Sequence, residues 1–193
     1  MIEKENQIWE KAQQYLKKGR STDLEHTKRA VDYGKYLLQY ENGNPSIVIP
    51  CLYLHDIGWS MTEEFSPEGI PNIDLHMKYG SELAEKILKE INYPSEESKK
   101  IVFIISIHDN PEKVFALNDI DATLVVEADR LDRFGIPAIE RYKKMRPDKP
   151  LSEVIKKNEK GLDKWFKTNT GKKLARRLFS EMSKNGGEIA KHF

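Results

Sequence analysis

The stretch Ile47-Val-Ile-Pro-Cys-Leu-Tyr-Leu-His-Asp-Ile-Gly58 decides how the rest of the chain is read. It is almost wholly apolar, has the length of a buried helix, and ends in His55 and Asp56 side by side before Gly58. Desolvating an ionised carboxylate is costly unless a cation or a metal compensates it. A divalent ion does so by taking imidazole nitrogen and carboxylate oxygen together. Further ligands of the same kind are therefore expected elsewhere in the chain.

On both sides of this stretch apolar residues recur at helical spacing. Ile8, Trp9, Ala12, Tyr15 and Leu16 mark a helix over 3–18, stopped by Gly19. A second, over about 24–40, carries His26, Ala30, Tyr33, Gly34 and Leu37 on its inward face. Asn42-Gly-Asn-Pro45 breaks the chain. Asn44 or Ser46 then caps the central helix, where Pro50 is tolerable only near the first turn or as a kink. Residues 59–73 have no clean period, and connections of that length are usually functional or mobile, so they form a candidate lid. The helix over 74–91 places His76, Gly80, Leu83, Ile87 and Ile91 on one stripe. Pro94-Ser95 starts another, on which Ile101, Ile104, Ile105 and His108 share a face until Asn110-Pro111 ends it. Residues 119–131 are again helical, with Asp129 near the end and Gly135 beyond. Pro137 opens a short helix to about Met145, Arg146-Pro-Asp-Lys-Pro150 interrupts, and two basic amphipathic helices follow near 152–167 and 171–184. No run of β-branched residues alternates apolar and polar. The expected fold is all-α, a helical bundle over 1–150 with helices in 151–193 packed on the same domain.

A length of 193 residues suits one domain with a real core. With 32 basic and 31 acidic residues the chain is not a polycation made for nucleic acid or membranes. Residues 151–193 nevertheless hold 11 Lys+Arg against 5 Asp+Glu, most simply a solvated helix face. Cys51 has no disulfide partner and reads as a small hydrophobe of a protein made for a reducing compartment. The polar N-terminus lacks the apolar region of a signal peptide, and no apolar run approaches the 18 residues of a membrane span. The expected location is cytoplasmic.

Of five histidines, His26, His55, His76 and His108 fall on apolar faces near helix ends, whereas His192 beside the C-terminus is expected to be exposed. Any one of the four alone reads as a hydrogen-bonded core histidine. Four inward histidines with inward Asp56 and Asp129 are a costly set to bury without metal. Together they supply ligands for one or two divalent ions, whether Mn, Mg, Co, Ni, Zn or Fe.

In order, His26, the His55-Asp56 pair and Asp129 match an H…HD…D signature. Over about residues 20–135 the chain resembles the HD-domain superfamily, which is all-helical and consists largely of metal-dependent phosphohydrolases. Leu54-His-Asp-Ile-Gly58 and Glu127-Ala-Asp-Arg-Leu-Asp132 look like family sequence. His76 and His108 resemble the extra histidines of members that hold a second metal. There is one departure. Single-metal nucleotidases of the superfamily often have a glutamate shortly after the HD pair, where this chain has Trp59, Ser60 and Met61 before Glu63.

The resemblance implies that Asp56 contacts both metals or anchors one. His26, His55 and Asp129 would complete one site, and His76 and His108 would hold the second. With a single metal, His76 would serve as general acid or base. Phosphate needs further cations, and Lys78, Arg130 and Arg133 lie within a few residues of these ligands. Glu63 and Glu64 are expected to be solvated, and Asp109, Glu127 and Asp132 to orient ligands or lie on helix surfaces. The implied activity is hydrolysis of a phosphoester by metal-activated water, on a small phosphorylated substrate such as a nucleotide. Neither membrane nor nucleic acid is an expected partner, and a homo-oligomer stays open. Two other readings use the same ligands: an HD-type di-iron oxygenase that cleaves a C–C or C–P bond with O₂, and a non-catalytic module with a structural metal.

Overall fold

The computed structural model describes the backbone of residues 2–189 and the side chains of 3–184, so His192 lies outside the described residues. Within them the chain is all-α. Ten helices follow one another: α1 Ile2–Leu16, α2 Asp23–Leu37, α3 Pro45–Leu54, α4 Ile73–Glu90, α5 Ser95–Ile105, α6 Pro111–Ala116, α7 Ile120–Leu131, α8 Gly135–Met145, α9 Leu151–Gly161 and α10 Asn169–Ile189. None is long and apolar enough to cross a membrane.

The apolar helix α3 is the axis of the bundle, surrounded by α1, α2, α5 and α7. Ile47, Val48, Ile49, Cys51, Leu52 and Leu54 are all buried, and each large aliphatic contributes about 1.5–3 kcal/mol. Asn44 is the cap, accepting from the Ser46 amide at 2.9 Å, and Pro45 occupies the first turn, where a missing N–H is harmless. Pro50 lies deeper than a first-turn proline should. It removes the N–H that would bond the Ser46 carbonyl, and the Tyr93 hydroxyl donates to that oxygen instead, at 2.7 Å.

Several boundaries differ from the sequence reading. Asn110-Pro111 starts a helix as well as ending one: the Asn110 side chain accepts from the Lys113 amide at 3.0 Å and opens α6. This is the same cap-then-proline signal as Asn44-Pro45. Helix α9 stops at Gly161 rather than near 167. There the buried carboxylate of Glu127 accepts from the amides of Lys167 at 2.5 Å and Thr168 at 2.8 Å and ties down the entry to α10. Glu127 is thus a joint between α7 and the C-terminal helices and orients no histidine.

The candidate lid over 59–73 also changes. Ile57–Met61 is a 3-10 turn whose Trp59 is only 5 % exposed, so the outward excursion begins at about Thr62. From 62 to 72 the chain forms an exposed loop, closed by the Phe65–Pro71 bridge and a Ser66-to-Ile70 backbone hydrogen bond of 2.8 Å. At the other end of the chain α10 packs on α7 and α8, with Leu174, Ala175 and Leu178 in the core beside Phe134 and Phe166. Lys173, Arg176 and Arg177 stay exposed on its outer side.

Candidate metal centre

The six donors singled out in the sequence come from helix ends that converge on one point. His26 lies in the first turns of α2, His55 caps α3, Asp56 follows it, His76 opens α4, His108 follows α5, and Asp129 closes α7. All six are buried. Gly58 permits the convergence, because its backbone touches that of α4. A Cβ there would stand 2.0 Å from the His76 carbonyl oxygen and 2.5 Å from the Gly80 nitrogen.

The donors form two triads, His26/His55/Asp129 and Asp56/His76/His108. In the first, His26 Nε2 is 3.2 Å from His55 Nε2 and 3.1 Å from Asp129 Oδ1. In the second, His76 Nε2 is 3.5 Å from His108 Nε2 and 3.9 Å from Asp56 Oδ1. Asp56 joins the two, since its Oδ2 lies 3.4 Å from both His26 Nε2 and His55 Nε2. Two ligands on one ion about 2.1 Å away stand roughly 3.0–3.4 Å apart, so the two His26 spacings match shared coordination, while His55–Asp129 at 3.9 Å and the second triad at 3.5 and 3.9 Å are looser.

The tautomers strengthen the fit. Carbonyl oxygens only accept, so His55 Nδ1 donates to Leu52 O and His108 Nδ1 to Ile105 O, each at 2.8 Å. His26 Nδ1 donates to the Asp132 carboxylate at 2.7 Å. With Nδ1 engaged in this way, the Nε2 atoms of these rings are turned toward Asp56 and Asp129, the orientation that metal-ligating imidazoles need. His76 is the exception. Its buried Nδ1 has no hydrogen-bond partner, and its ring is held by Trp59 instead, stacked at 4.1 Å and 7°. Trp59 also donates to Asp56 Oδ1 at 3.1 Å, so the residue standing just after the HD pair forms a wall of the centre.

Charge around the cluster is arranged to keep the carboxylates ionised. Burial would raise Asp56, but His55, Arg20 and His26 hold it well below the usual carboxylate range. Arg130 and His26 do the same for Asp129. Burial also opposes ionisation of Asp109, which Arg130 brings down to about 2. His76 is lowered to about 4 by burial and by His108. His26 goes the other way: burial and Arg141 lower it, yet its bonds to Asp129 and Asp132 raise it from 6.5 to about 9.

Near neutral pH the raised value keeps a proton on His26, which an ion bound there would have to displace. Metal uptake should release close to one proton for this site, and affinity should rise about tenfold per pH unit up to about 9. Because the folded value is raised, protonated His26 stabilises the metal-free fold fully below 6.5, and this contribution is lost as pH rises through about 9. Calorimetry in buffers of different ionisation enthalpy measures the proton count. A count of zero would remove His26 from the ligand set.

Three of the six donors, His26, Asp56 and Asp129, line a cleft of about 690 Å³. Arg130 and Arg133 line it; Lys78 does not, since it is exposed on α4 beside Tyr79. Arg130 bonds Asp109 at 2.5 Å, and Arg133, pushed down to about 10 by burial and by Arg130, reaches Asp109 only at 4.0 Å. Asp132 orients His26 and binds Arg29 and Arg141 as well. Glu64 is not simply solvated, for it pairs with Arg146 at 2.7 Å on the cleft wall.

The sequence reading missed several cleft residues: Arg20, Arg141, Arg146, Lys149, Lys157 and Trp165. Arg20 bridges Asp23 and Asp56, at 2.7 Å each, and lies over the Trp59 ring. It had a local signal, standing one turn before a helix start that carries Asp23 and His26. The others had none, because they reach the cleft only through the placement of α8, α9 and the segment after α9.

A family model described as HD domain matches residues 23–133, a span that contains all six donors. No curated protein matches the chain. Its fold is similar to those of several solved structures. An HD-superfamily hydrolase from Bacillus thuringiensis is 26% identical, with 99% of this chain and 97% of that one covered at a TM-score of 0.71. A predicted HD-superfamily hydrolase from an uncultured Thermotogales bacterium is 20% identical, with 97% and 91% covered and a TM-score of 0.69. Bacillus subtilis YpgQ in complex with ADP is 18% identical, with 100% and 96% covered and a TM-score of 0.68. The match over more than half of the chain, together with the H…HD…D order of its buried donors, shows that the protein belongs to the HD-domain family.

Proposed function

We propose that the protein is a metal-dependent hydrolase of phosphoesters, acting on a nucleotide or a related small phosphate. The observation that carries this reading is that His26, Asp56 and Asp129 of the donor cluster open onto a cleft rich in cationic side chains. Arg130, Arg133, Arg146, Lys149 and Lys157 line it. Such a cleft favours a multiply charged anion. The ADP held by the Bacillus subtilis relative is a ligand of that chemistry.

His26, His55 and Asp129 would hold one ion and Asp56, His76 and His108 a second. Bound metal would supply an activated water and neutralise phosphoryl oxygens. The chain's own residues do the rest. Asp56 couples the triads and is kept charged by Arg20, while Trp59 excludes water from one side of His76. Arg133 has no carboxylate closer than 4.0 Å and is the open guanidinium for a phosphoryl group. Asp109, an ionised carboxylate outside the two triads, lies 3.4 Å from His76 Nε2 on the cleft wall, where it would orient a water.

The test is phosphate release from a panel of nucleotides and small phosphoesters with Mn, Mg, Co, Ni or Zn added. Elemental analysis of protein purified without added metal accompanies it. Iron near two per chain with O₂ uptake would replace this reading by the oxygenase. Non-exchangeable metal with no turnover would replace it by the binding module. On the best substrate, Arg133→Lys should lower kcat/KM about tenfold and Arg133→Ala about a hundredfold, because one loses the two-pronged hydrogen bond and the other the charge as well. Metal content should stay intact in both. An unchanged kcat/KM would make Arg133 an ordinary surface charge.

A further inference from the structure

Arg133 departs from the other arginines near the centre in what holds it. Arg20, Arg130 and Arg141 each have a carboxylate oxygen within 2.8 Å. Arg133 has only Asp109 at 4.0 Å, and its buried Nε has no hydrogen-bond partner. Its close neighbour is an aromatic ring: the guanidinium carbon stands 5.6 Å from the centroid of Trp165. That of Arg130 stands 5.9 Å from the same ring.

Trp165 is itself seated by a close contact. Its indole lies on the last residue of α9, Gly161, where an added Cβ would stand 2.3 Å from Cε3 and 2.4 Å from Cζ3. The ring thus occupies the space that any side chain at 161 would need. From the same helix Asn158 donates to the Arg133 backbone carbonyl. Residues 158–165 thereby hold Arg133 at both its backbone and its side chain.

A carboxylate could also fix a guanidinium, but it would neutralise the charge and compete with an incoming phosphoryl group. An aromatic face attracts the cation and leaves its N–H groups free to donate. We propose that Trp165, seated on Gly161, is the positioning residue of Arg133, and that the segment after α9 thereby sets the anion affinity of the cleft. This rests on the reading of Arg133 as the phosphoryl partner, so the experiment has one arm without ligand and one with it.

In the ligand-free protein the Arg133 Nε–Hε signal, identified by its loss in Arg133→Gln, should be ring-shifted and slow to exchange. Trp165→Phe should keep that signature. Trp165→Leu and Gly161→Ala should move it to the position of a solvent-exposed arginine. Gly161→Ala is informative because its Cβ acts by displacing the indole, and a Tm measured beside it separates that displacement from general destabilisation. For binding, an ADP analogue with a methylene bridge between its phosphates is titrated calorimetrically into the metal-loaded protein. Trp165→Leu and Gly161→Ala should each weaken it about tenfold, and Trp165→Phe less than about threefold. In an Arg133→Gln background, Trp165→Leu should add less than about twofold, because its effect passes through the guanidinium.

An Arg133 signal unchanged by Trp165→Leu overturns the proposal. So does an equal loss of affinity with and without Arg133. If the analogue does not bind, or Arg133→Gln leaves its affinity unchanged, the anion-binding reading fails. The ligand-free signal then decides the role of Trp165 by itself: its displacement in Trp165→Leu supports the positioning, and its persistence rejects it.

Discussion

On the proposed reading, Asp56→Ala should leave the purified protein nearly free of metal and lower phosphoester hydrolysis by at least about a thousandfold, the scale set by several kcal/mol of metal-derived stabilisation. The expectation comes from the way Asp56 faces both triads, with Oδ2 toward His26 and His55 and Oδ1 toward His76. No neighbour replaces it, and water in its place would bring no negative charge to offset the ion. The fold should survive, because Arg20 keeps its second partner Asp23 at 2.7 Å. Elemental analysis and phosphate release on the same preparation measure the two effects. Full metal content in the variant would remove Asp56 from the ligand set.

Gly58→Ala should be the most damaging substitution among residues that donate nothing to the centre. Its Cβ would press on the backbone of α4, against the His76 carbonyl oxygen at 2.0 Å and the Gly80 nitrogen at 2.5 Å, and backbone cannot rotate away as a side chain can. Forcing the turn and the helix apart should cost about 3 kcal/mol, or roughly 10 °C in Tm for a chain of this size. The same displacement carries His76 away from Asp56 and His108, so metal should be lost from the second triad before the first. Thermal denaturation and metal counting test both parts. A Tm within about 2 °C of the parent would show that the turn relaxes without moving α4.

The sequence by itself determined the helical class, because apolar residues recur every three to four positions in nearly every segment and that period is a local property. It also determined which histidines and aspartates face inward, since His26, His55, His76, His108 and Asp129 each stand in register with an apolar stripe. The tertiary structure decided what each of them meets. Lys78 is two residues from His76, yet the turn of α4 points it to solvent. Glu127 is two residues from Asp129, yet it faces the opposite way and holds residues 167 and 168. Trp59, read as the start of a mobile lid, is pinned by stacking on His76 and by Asp56. Arg141, Arg146, Lys149 and Lys157 had to wait for the helices to be placed, because their approach to the cleft joins segments far apart in sequence, as Arg141 and His26 stand 115 positions apart. Periodicity tells which side of a helix is buried. Which helix lies opposite is set by close backbone contacts such as Gly58 against α4, and by buried ion pairs such as Arg20 with Asp56 and Arg141 with Asp132, none of which has a local period.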